Sequence, residues 1–217
     1  MGHGSAARTV SGQLNEWITE GRLLPGAKVS DSAVAAELEV SRNTVREAFR
    51  LLAHDGLLVH EFNRGVFVPV VTSADVRDVY WLRGVIEPGV VRSLTALDVH
   101  RLGPLRAAVD EARRAGRRRD WPAVGTANMH FHRSLVALAG SPRLDVMMRR
   151  LMAELRLLFA VVDNPRYLYQ PFVKRNQRLL TLMSTGRFGE GADFLEDYLA
   201  DSEGAILAAF EEKEQTA

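Results

Sequence analysis

The spacing of apolar residues changes near residue 70, and this change constrains the fold more than any other feature of the chain. Before it, segments of helical spacing precede two β-prone runs, Leu57–Val59 and Val66–Val68, which flank the turn-forming residues Asn63-Arg64-Gly65. After it, every periodic segment has helical spacing. The sequence therefore predicts a mostly α chain: a small helical part that ends in a β-hairpin, followed by an all-α helical bundle.

Turn and capping residues predict where each element begins and ends. We expect a first domain over residues 8–69, a linker over 70–73 and a second domain over 74–212, with Pro69 and Ser73 marking the break. A first helix ends before Leu24-Pro25-Gly26, a second follows Ser30 or Asp31, and a third follows Ser41. Helices in the second domain are predicted over residues 73–96, 98–115, 120–140, 142–163, 168–185 and 188–212.

Composition excludes several classes of protein. The chain has no cysteine, which excludes disulfides, thiolate catalysis and sulfur-ligated zinc. No apolar run approaches the roughly 20 residues that cross a bilayer, and the start lacks the apolar core of a signal peptide, so we expect a cytoplasmic protein without membrane contact. No Ser/His/Asp or paired-carboxylate arrangement is evident, which predicts a protein that is not an enzyme. An enzyme built on the helical bundle is the alternative.

The third predicted helix has one apolar face and one polar face. Its apolar stripe has the spacing i, i+3, i+4, i+7, and its polar arc carries arginines and an asparagine; the two sets are Val45, Ala48, Phe49, Leu52 and Arg42, Asn43, Arg46, Arg50. A helix that begins Ser41-Arg42-Asn43-Thr44 presents hydroxyl, amide and guanidinium groups at its N-terminal end. In helix-turn-helix proteins that end enters the major groove of DNA. An ordinary solvated helix face is the alternative.

The polar residues of this region suit contacts with the bases and with the sugar-phosphate backbone of DNA. Arg42 and Arg46 can contact guanine edges or phosphates, while Ser41, Thr44 and the free N–H groups of the first turn suit phosphate oxygens. Arg64 precedes Gly65 in the hairpin turn, where it can contact the minor groove or the backbone. Basic and acidic residues nearly balance over residues 1–70, so charge alone does not indicate DNA binding.

These elements together resemble the GntR family of bacterial regulators. The resemblance rests on Leu24-Pro25-Gly26, on VAAELEVSRNTVREAFRLLAHDGLL from Val34 to Leu58 and on Arg64-Gly65-Val66, and it covers residues 11–69. It implies a winged helix-turn-helix whose DNA contacts fall on Arg42, Thr44, Arg46 and Gly65, with Asn43 and Arg64 as further candidates. Ser32 departs from the pattern, because some relatives carry a DNA-contacting arginine at this place.

Polar residues interrupt the apolar stripes of the second domain. Arg83 and Glu87 lie within the inward face of the first helix, and a buried guanidinium is costly unless it is paired. Arg83 therefore meets Glu87, another acidic side chain or an anionic ligand, and the sequence leaves these possibilities open. Asn128, His132 and Asn176 also share faces with apolar residues. Each alone suits a satisfied core hydrogen bond, but together they favour a binding cavity.

This second domain resembles the FCD domain of the FadR subfamily. The resemblance rests on Tyr80-Trp81-Leu82-Arg83, on Ile86-Glu87 and on NMHFHRSLVALAGSPRL from Asn128 to Leu144. Many members hold a divalent metal on one Asp and three His, and the matching places here are Asn128, His132, Asn176 and Tyr198. Only His132 is a strong ligand, and amides and a phenol are poor replacements for the others, so we expect no tight metal site and no cofactor, with a bound divalent metal as the less favoured alternative.

These observations combine into one functional hypothesis. We expect a repressor, homodimeric because a single recognition helix contacts few base pairs, that binds a palindromic operator in double-stranded DNA. A small carboxylate or other anion, held by Arg83, Asn128, His132, Asn176 and Tyr198, is expected to change its operator affinity. A DNA-binding protein with a vestigial pocket is the second possibility.

Overall fold

A computed structural model describes residues 3–94, 99–162 and 165–216 of the 217. The chain folds into two compact units, Met1–Val71 and Thr72–Ala217. The predicted helix ends at residues 96, 98 and 163 lie outside the described residues.

The first unit packs three helices beside a small antiparallel sheet. Its elements are α1 (His3–Thr19), β1 (Lys28–Val29), α2 (Asp31–Glu37), α3 (Arg42–His54), β2 (Val59–Glu61) and β3 (Gly65–Phe67), and the strand order is β1-β3-β2. The sequence predicted only two strands, so the hairpin is corrected to a three-stranded sheet. A strand of two residues is too short to show alternation, which is why Lys28–Val29 was missed.

The first predicted strand begins two residues later than the sequence indicates. Leu57 and Leu58 do not pair; they are buried against the helices, and β2 begins only at Val59. The stripe of α3 is buried as predicted and packs against Leu14 and Ile18 of α1 in the core of this unit. The apolar face of α3 is thus fixed, and its polar face is turned to solvent.

The second unit is helical throughout its described residues. It comprises α4 (Ser73–Ser93), a 3₁₀ turn (Val99–Leu102), α5 (Gly103–Arg117), α6 (Trp121–Ala137), α7 (Pro142–Phe159), α8 (Pro165–Ser184) and α9 (Phe188–Thr216). The winged first unit and the all-α second unit confirm the predicted fold class. No helix among the described residues has the length and apolar character needed to cross a membrane.

Helix α4 begins at a well-formed cap and packs against three other helices of the second unit. Thr72 and Asp75 form a capping box that starts α4, and the helix then packs against α9, α6 and α7. Its inward face carries Arg83 and Glu87, both buried. Because α6 and α8 also pack together, the polar residues of four helices meet inside this unit.

Candidate functional site

The N-terminus of α3 is exposed and rigidly capped. The Ser41 hydroxyl accepts a hydrogen bond from the Thr44 backbone N–H at 3.1 Å, and the two hydroxyls lie 2.8 Å apart. Ser41, Arg42 and Asn43 are exposed, and Thr44 is half-buried. Ser41 and Thr44 therefore hold the helix end in shape, while the side chains of Arg42 and Asn43 extend from it into solvent.

One carboxylate joins the two predicted reading arginines. Arg42 Nη2 donates to both oxygens of Asp31 at 2.9 and 3.1 Å, and Arg46 Nε donates to Asp31 Oδ2 at 2.7 Å. Hydrogen bonds from Arg46 and Arg42 hold the pKa of Asp31 below its ordinary value. Asp31 is the first residue of α2, so the packing of α2 on α3 creates this cluster.

The hairpin turn brings a third arginine to the same side. Arg64 pairs with Glu61, and its guanidinium carbon lies 5.3 Å from the centre of the Phe67 ring. Gly65 has φ +116°, a conformation that other residues rarely adopt, and a Cβ there would lie 3.2 Å from Lys28 Cε. Glycine therefore allows the chain to turn tightly beside Lys28.

These side chains line one groove of about 430 Å³. The groove brings together four of the seven residues that the sequence predicted for DNA contact, namely Arg42, Arg46, Arg64 and Gly65. Ser41, Asn43 and Thr44 lie at the N-terminus of α3 and are not part of its lining. Lys28, Asp31, Arg50 and His60, which the sequence did not assign to the site, also line the groove.

A buried hydrogen-bonded triad occupies the interior of the second unit. Arg83 Nε donates to Glu87 Oε1 at 2.6 Å, and His132 Nδ1 lies 2.6 Å from Glu87 Oε2. All three side chains are at most 1% exposed. A carboxylate accepts only, so His132 donates through Nδ1. The structure thus contains the internal Arg83–Glu87 pair that the sequence left open.

A neutral amide cluster lies beside the triad. Asn176 Nδ2 and the Tyr198 hydroxyl both donate to Asn128 Oδ1, at 2.8 and 3.1 Å. The rings of His132 and Tyr198 are 5.6 Å apart, which connects the two groups. The structure therefore brings together all five predicted effector residues. Whether they bind an effector stays a prediction.

Three buried polar atoms of this cluster lack hydrogen-bond partners among the described residues. They are His132 Nε2, Asn176 Oδ1 and the Tyr80 hydroxyl. Buried polar atoms are rarely left unsatisfied, so each of these suits an ordered water or a ligand atom. Tyr80 belongs to the cluster because its ring centre lies 4.9 Å from the Arg83 guanidinium carbon.

Burial and charge fix the protonation states of the triad. Burial alone would raise the pKa of the Glu87 carboxyl, but Arg83 and His132 outweigh it and lower that pKa to about 2. Burial lowers the pKa of His132 below its ordinary value, although Glu87 opposes the shift. At neutral pH, Glu87 is ionised and His132 is neutral, so His132 Nε2 carries a lone pair and no proton.

The donor atoms do not fit a tightly held divalent metal. Asn128 Oδ1 already accepts two hydrogen bonds, and burial raises the pKa of Tyr198 well above its ordinary value, so its phenol keeps its proton. His132 Nε2 is then the one strong nitrogen donor of the four matching places. Among the described residues, no group of three or more His, Asp or Glu side chains is placed to hold a metal ion.

Comparison with known proteins identifies both units. The model of the "Bacterial regulatory proteins, gntR family" matches residues 6–68, and the FCD domain model matches residues 78–200. A solved GntR protein from Rhodococcus sp. RHA1 is 39% identical, with a TM-score of 0.85 over 94% of this chain and 99% of that one. The chain belongs to the gntR family of bacterial regulatory proteins.

Two curated relatives of this GntR-family chain are transcription regulators. It is 36% identical to a regulator from an unstable DNA locus of Streptomyces ambofaciens over 130 residues. These residues make up 59% of this chain and 54% of that protein. It is 34% identical to the probable D-xylose utilization operon transcriptional repressor of Paenarthrobacter nicotinovorans over 139 residues. These residues make up 60% of this chain and 60% of that protein. The chain thus spans between half and two thirds of the length of these relatives.

The family and the FCD domain confirm the resemblance that the sequence carried. Membership of the FadR subfamily in particular stays a prediction. Sequence reasoning missed Asp31 as part of the groove and did not assign Tyr80 to the effector site. It considered Arg83 as a partner of Glu87 but not His132, which Glu87 also contacts. The acidic first residue of α2 was a visible signal, but its partners depend on how α2 packs on α3.

Proposed function

We propose that this GntR-family protein is a transcription repressor that binds operator DNA through the groove beside α3. The observation that carries the proposal is the convergence of Arg42, Arg46 and Arg64 on one exposed groove, next to a rigidly capped helix N-terminus. A major groove admits such a helix, and arginine is the commonest reader of guanine. Ser41, Asn43, Thr44 and Gly65 would supply phosphate and backbone contacts.

We further propose that the protein works as a homodimer on a palindromic operator in the cytoplasm. One α3 spans too few base pairs for useful specificity, and a two-fold dimer doubles the site. The second unit supports this role, because Trp81 and Val85 lie one turn apart on α4 with exposed apolar side chains, and Val146 of α7 is exposed as well. Exposed apolar side chains of this kind suit contact with a second copy.

The buried cluster is proposed as the effector site. Glu87 neutralises Arg83, and the unpartnered atoms are two acceptors and one hydroxyl. An unpartnered acceptor is satisfied by a donor, so we propose a neutral, hydroxyl-bearing effector in preference to an anion held by Arg83. The name of one relative concerns D-xylose, a neutral sugar with several hydroxyl groups.

Two measurements test these proposals. Selection from a random duplex library should yield a palindromic sequence that the protein binds at least 1,000-fold more tightly than scrambled DNA, as is roughly usual for specific regulators. Recovery of no preferred sequence contradicts the DNA-binding proposal. Thermal-shift measurements with D-xylose and its carboxylate counterpart D-xylonate then compare the two effector chemistries. A shift with the carboxylate alone contradicts the neutral effector and supports the Arg83 anion site.

A further inference from the structure

Asp31 is more firmly placed than the two arginines that it holds. Its side chain is 20% exposed, whereas those of Arg42 and Arg46 are 58% and 57% exposed. Asp31 also lies in the first turn of α2, directly after the cap residue Ser30, whose hydroxyl accepts from the Ala33 N–H. The carboxylate is therefore a fixed point, and the long arginine side chains take their positions from it.

The hydrogen bond to Arg46 leaves its reading edge available. Asp31 Oδ2 accepts from Arg46 Nε, and among the described residues no hydrogen bond is made by the two Nη groups. Those two Nη groups form the fork that donates to O6 and N7 of guanine. Asp31 thus fixes the plane of the guanidinium without occupying the fork.

Base reading and phosphate contact respond differently to such a constraint. A guanine edge accepts an arginine in one narrow orientation, whereas a phosphate accepts it in many. Because Asp31 holds Arg46 through Nε, the guanidinium can follow a phosphate outside its fixed plane only by leaving the carboxylate, which would place an uncompensated negative charge beside the DNA backbone. Holding Arg46 on Asp31 therefore favours guanine contact over phosphate contact.

We propose that Asp31 is a specificity-determining positioning residue of the DNA interface, which holds Arg46 ready for guanine and disfavours binding to unrelated sequences. The inference rests on the proposed DNA-binding function. It assigns a role to an acidic residue in a groove that is otherwise mainly basic. Hydrogen bonds from both arginines lower the pKa of Asp31, which keeps its carboxylate charged at neutral pH.

The test compares Asp31→Asn with a variant that makes the same charge change elsewhere in the unit. Glu37→Gln is the matched control, because Glu37 also lies on α2 but pairs with Arg22, which does not line the groove. Affinities are measured for the selected duplex, for duplexes with each guanine replaced singly, and for a scrambled duplex of equal length at one salt concentration. Asp31→Glu, which keeps the charge, is measured alongside, with thermal midpoints as a check on folding.

We expect Asp31→Asn to bind the scrambled duplex about two- to tenfold more tightly and the selected duplex no better, so that the ratio of the two affinities falls. The affinity lost when the guanine contacted by Arg46 is replaced should be smaller than in the wild-type protein. Asp31→Glu should keep a higher ratio of selected to scrambled affinity than Asp31→Asn. In an Arg46→Ala background, Asp31→Asn should no longer change the affinity lost on replacing that guanine.

Two results would overturn the inference. An affinity ratio in Asp31→Asn equal to that of Glu37→Gln means that only net charge matters. An unchanged loss of affinity on replacing that guanine means that Asp31 does not act through Arg46. If the wild-type protein itself selects no sequence, the proposed function fails first and this inference fails with it.

Discussion

Each unit of the protein pairs arginine with a carboxylate, but in opposite environments. Asp31 holds Arg42 and Arg46 at the surface, whereas Glu87 holds Arg83 and His132 in an interior where the side chains are at most 1% exposed. An exposed pair is weak because water and salt screen it, and Arg46 there keeps both Nη groups available to DNA while its Nε stays on Asp31. A buried pair cannot be broken without leaving a charge in the interior. The same chemistry thus gives an available arginine in one unit and a committed arginine in the other.

The largest expected effect comes from neutralising the buried carboxylate. Glu87→Gln keeps the shape of the side chain but leaves Arg83 charged and uncompensated, which should lower the free energy of unfolding by about 3 to 5 kcal/mol. Urea unfolding followed by circular dichroism measures it. Glu196→Gln, which removes a surface partner of Arg92, should change little. Similar losses in the two variants would remove the distinction between the buried and exposed pairs.

The comparison also explains which parts of the molecule the sequence could predict. The stripe of α3 and the polar interruptions of α4 follow from residue spacing within one helix, so Val45, Phe49, Arg83 and Glu87 were placed correctly on inward faces. Contacts between elements have no such local signal. The partners of Asp31 depend on helix packing, as does the second bond of Glu87, to His132 of α6.

The next largest effect concerns the exposed pair. Arg46→Ala should cost about 1 to 3 kcal/mol of operator affinity, roughly five- to 150-fold, if Arg46 contacts a guanine, and the fold should survive because the side chain is exposed. Fluorescence anisotropy with the selected duplex provides the measurement. Arg187→Ala, which removes an exposed arginine of the second unit, is the control. Equal affinity and equal salt dependence in the two variants would rule out Arg46 as a reading residue.

As the pH falls, the second unit should lose stability before the first unit does. His132 has a lowered pKa in the folded protein, so below its ordinary value of 6.5 the unfolded chain takes up a proton that the folded chain excludes, and stability falls. Glu87 adds a second loss between its ordinary value of 4.5 and about 2. In the first unit, the lowered pKa of Asp31 acts only below its ordinary value of 3.8.

Hydrogen exchange, corrected for intrinsic rates and compared between pH 7.5 and 5.5, resolves this order. Protection of α4 and α6 should decrease over that range, while the effect of Asp31 on α2 and α3 is still absent. His130→Gln changes a half-exposed histidine of α6 and should leave the decrease in place. Constant protection of α4 and α6 down to pH 5.5 would contradict a neutral, buried His132.

The smallest expected effect is that of metal on the buried cluster. Glu87 already compensates the positive charge of Arg83, and the places matching the metal ligands of other FCD domains carry two amides and a phenol that are hydrogen-bonded to one another. Neither a chelator nor added zinc or nickel should therefore move the thermal midpoint, whereas a metal at 100 times its Kd would stabilise the fold by about 2.7 kcal/mol. A variant that combines Asn128→Asp, Asn176→His and Tyr198→His supplies the stronger donors and should gain such a shift.

If instead the wild-type protein keeps one metal ion per chain through dialysis and its midpoint drops on chelation, a cation organises the cluster. Glu87 would then no longer be the group that compensates the interior charge, and the contrast with Asp31, which leaves the Nη groups of Arg46 available, would not hold for the second unit.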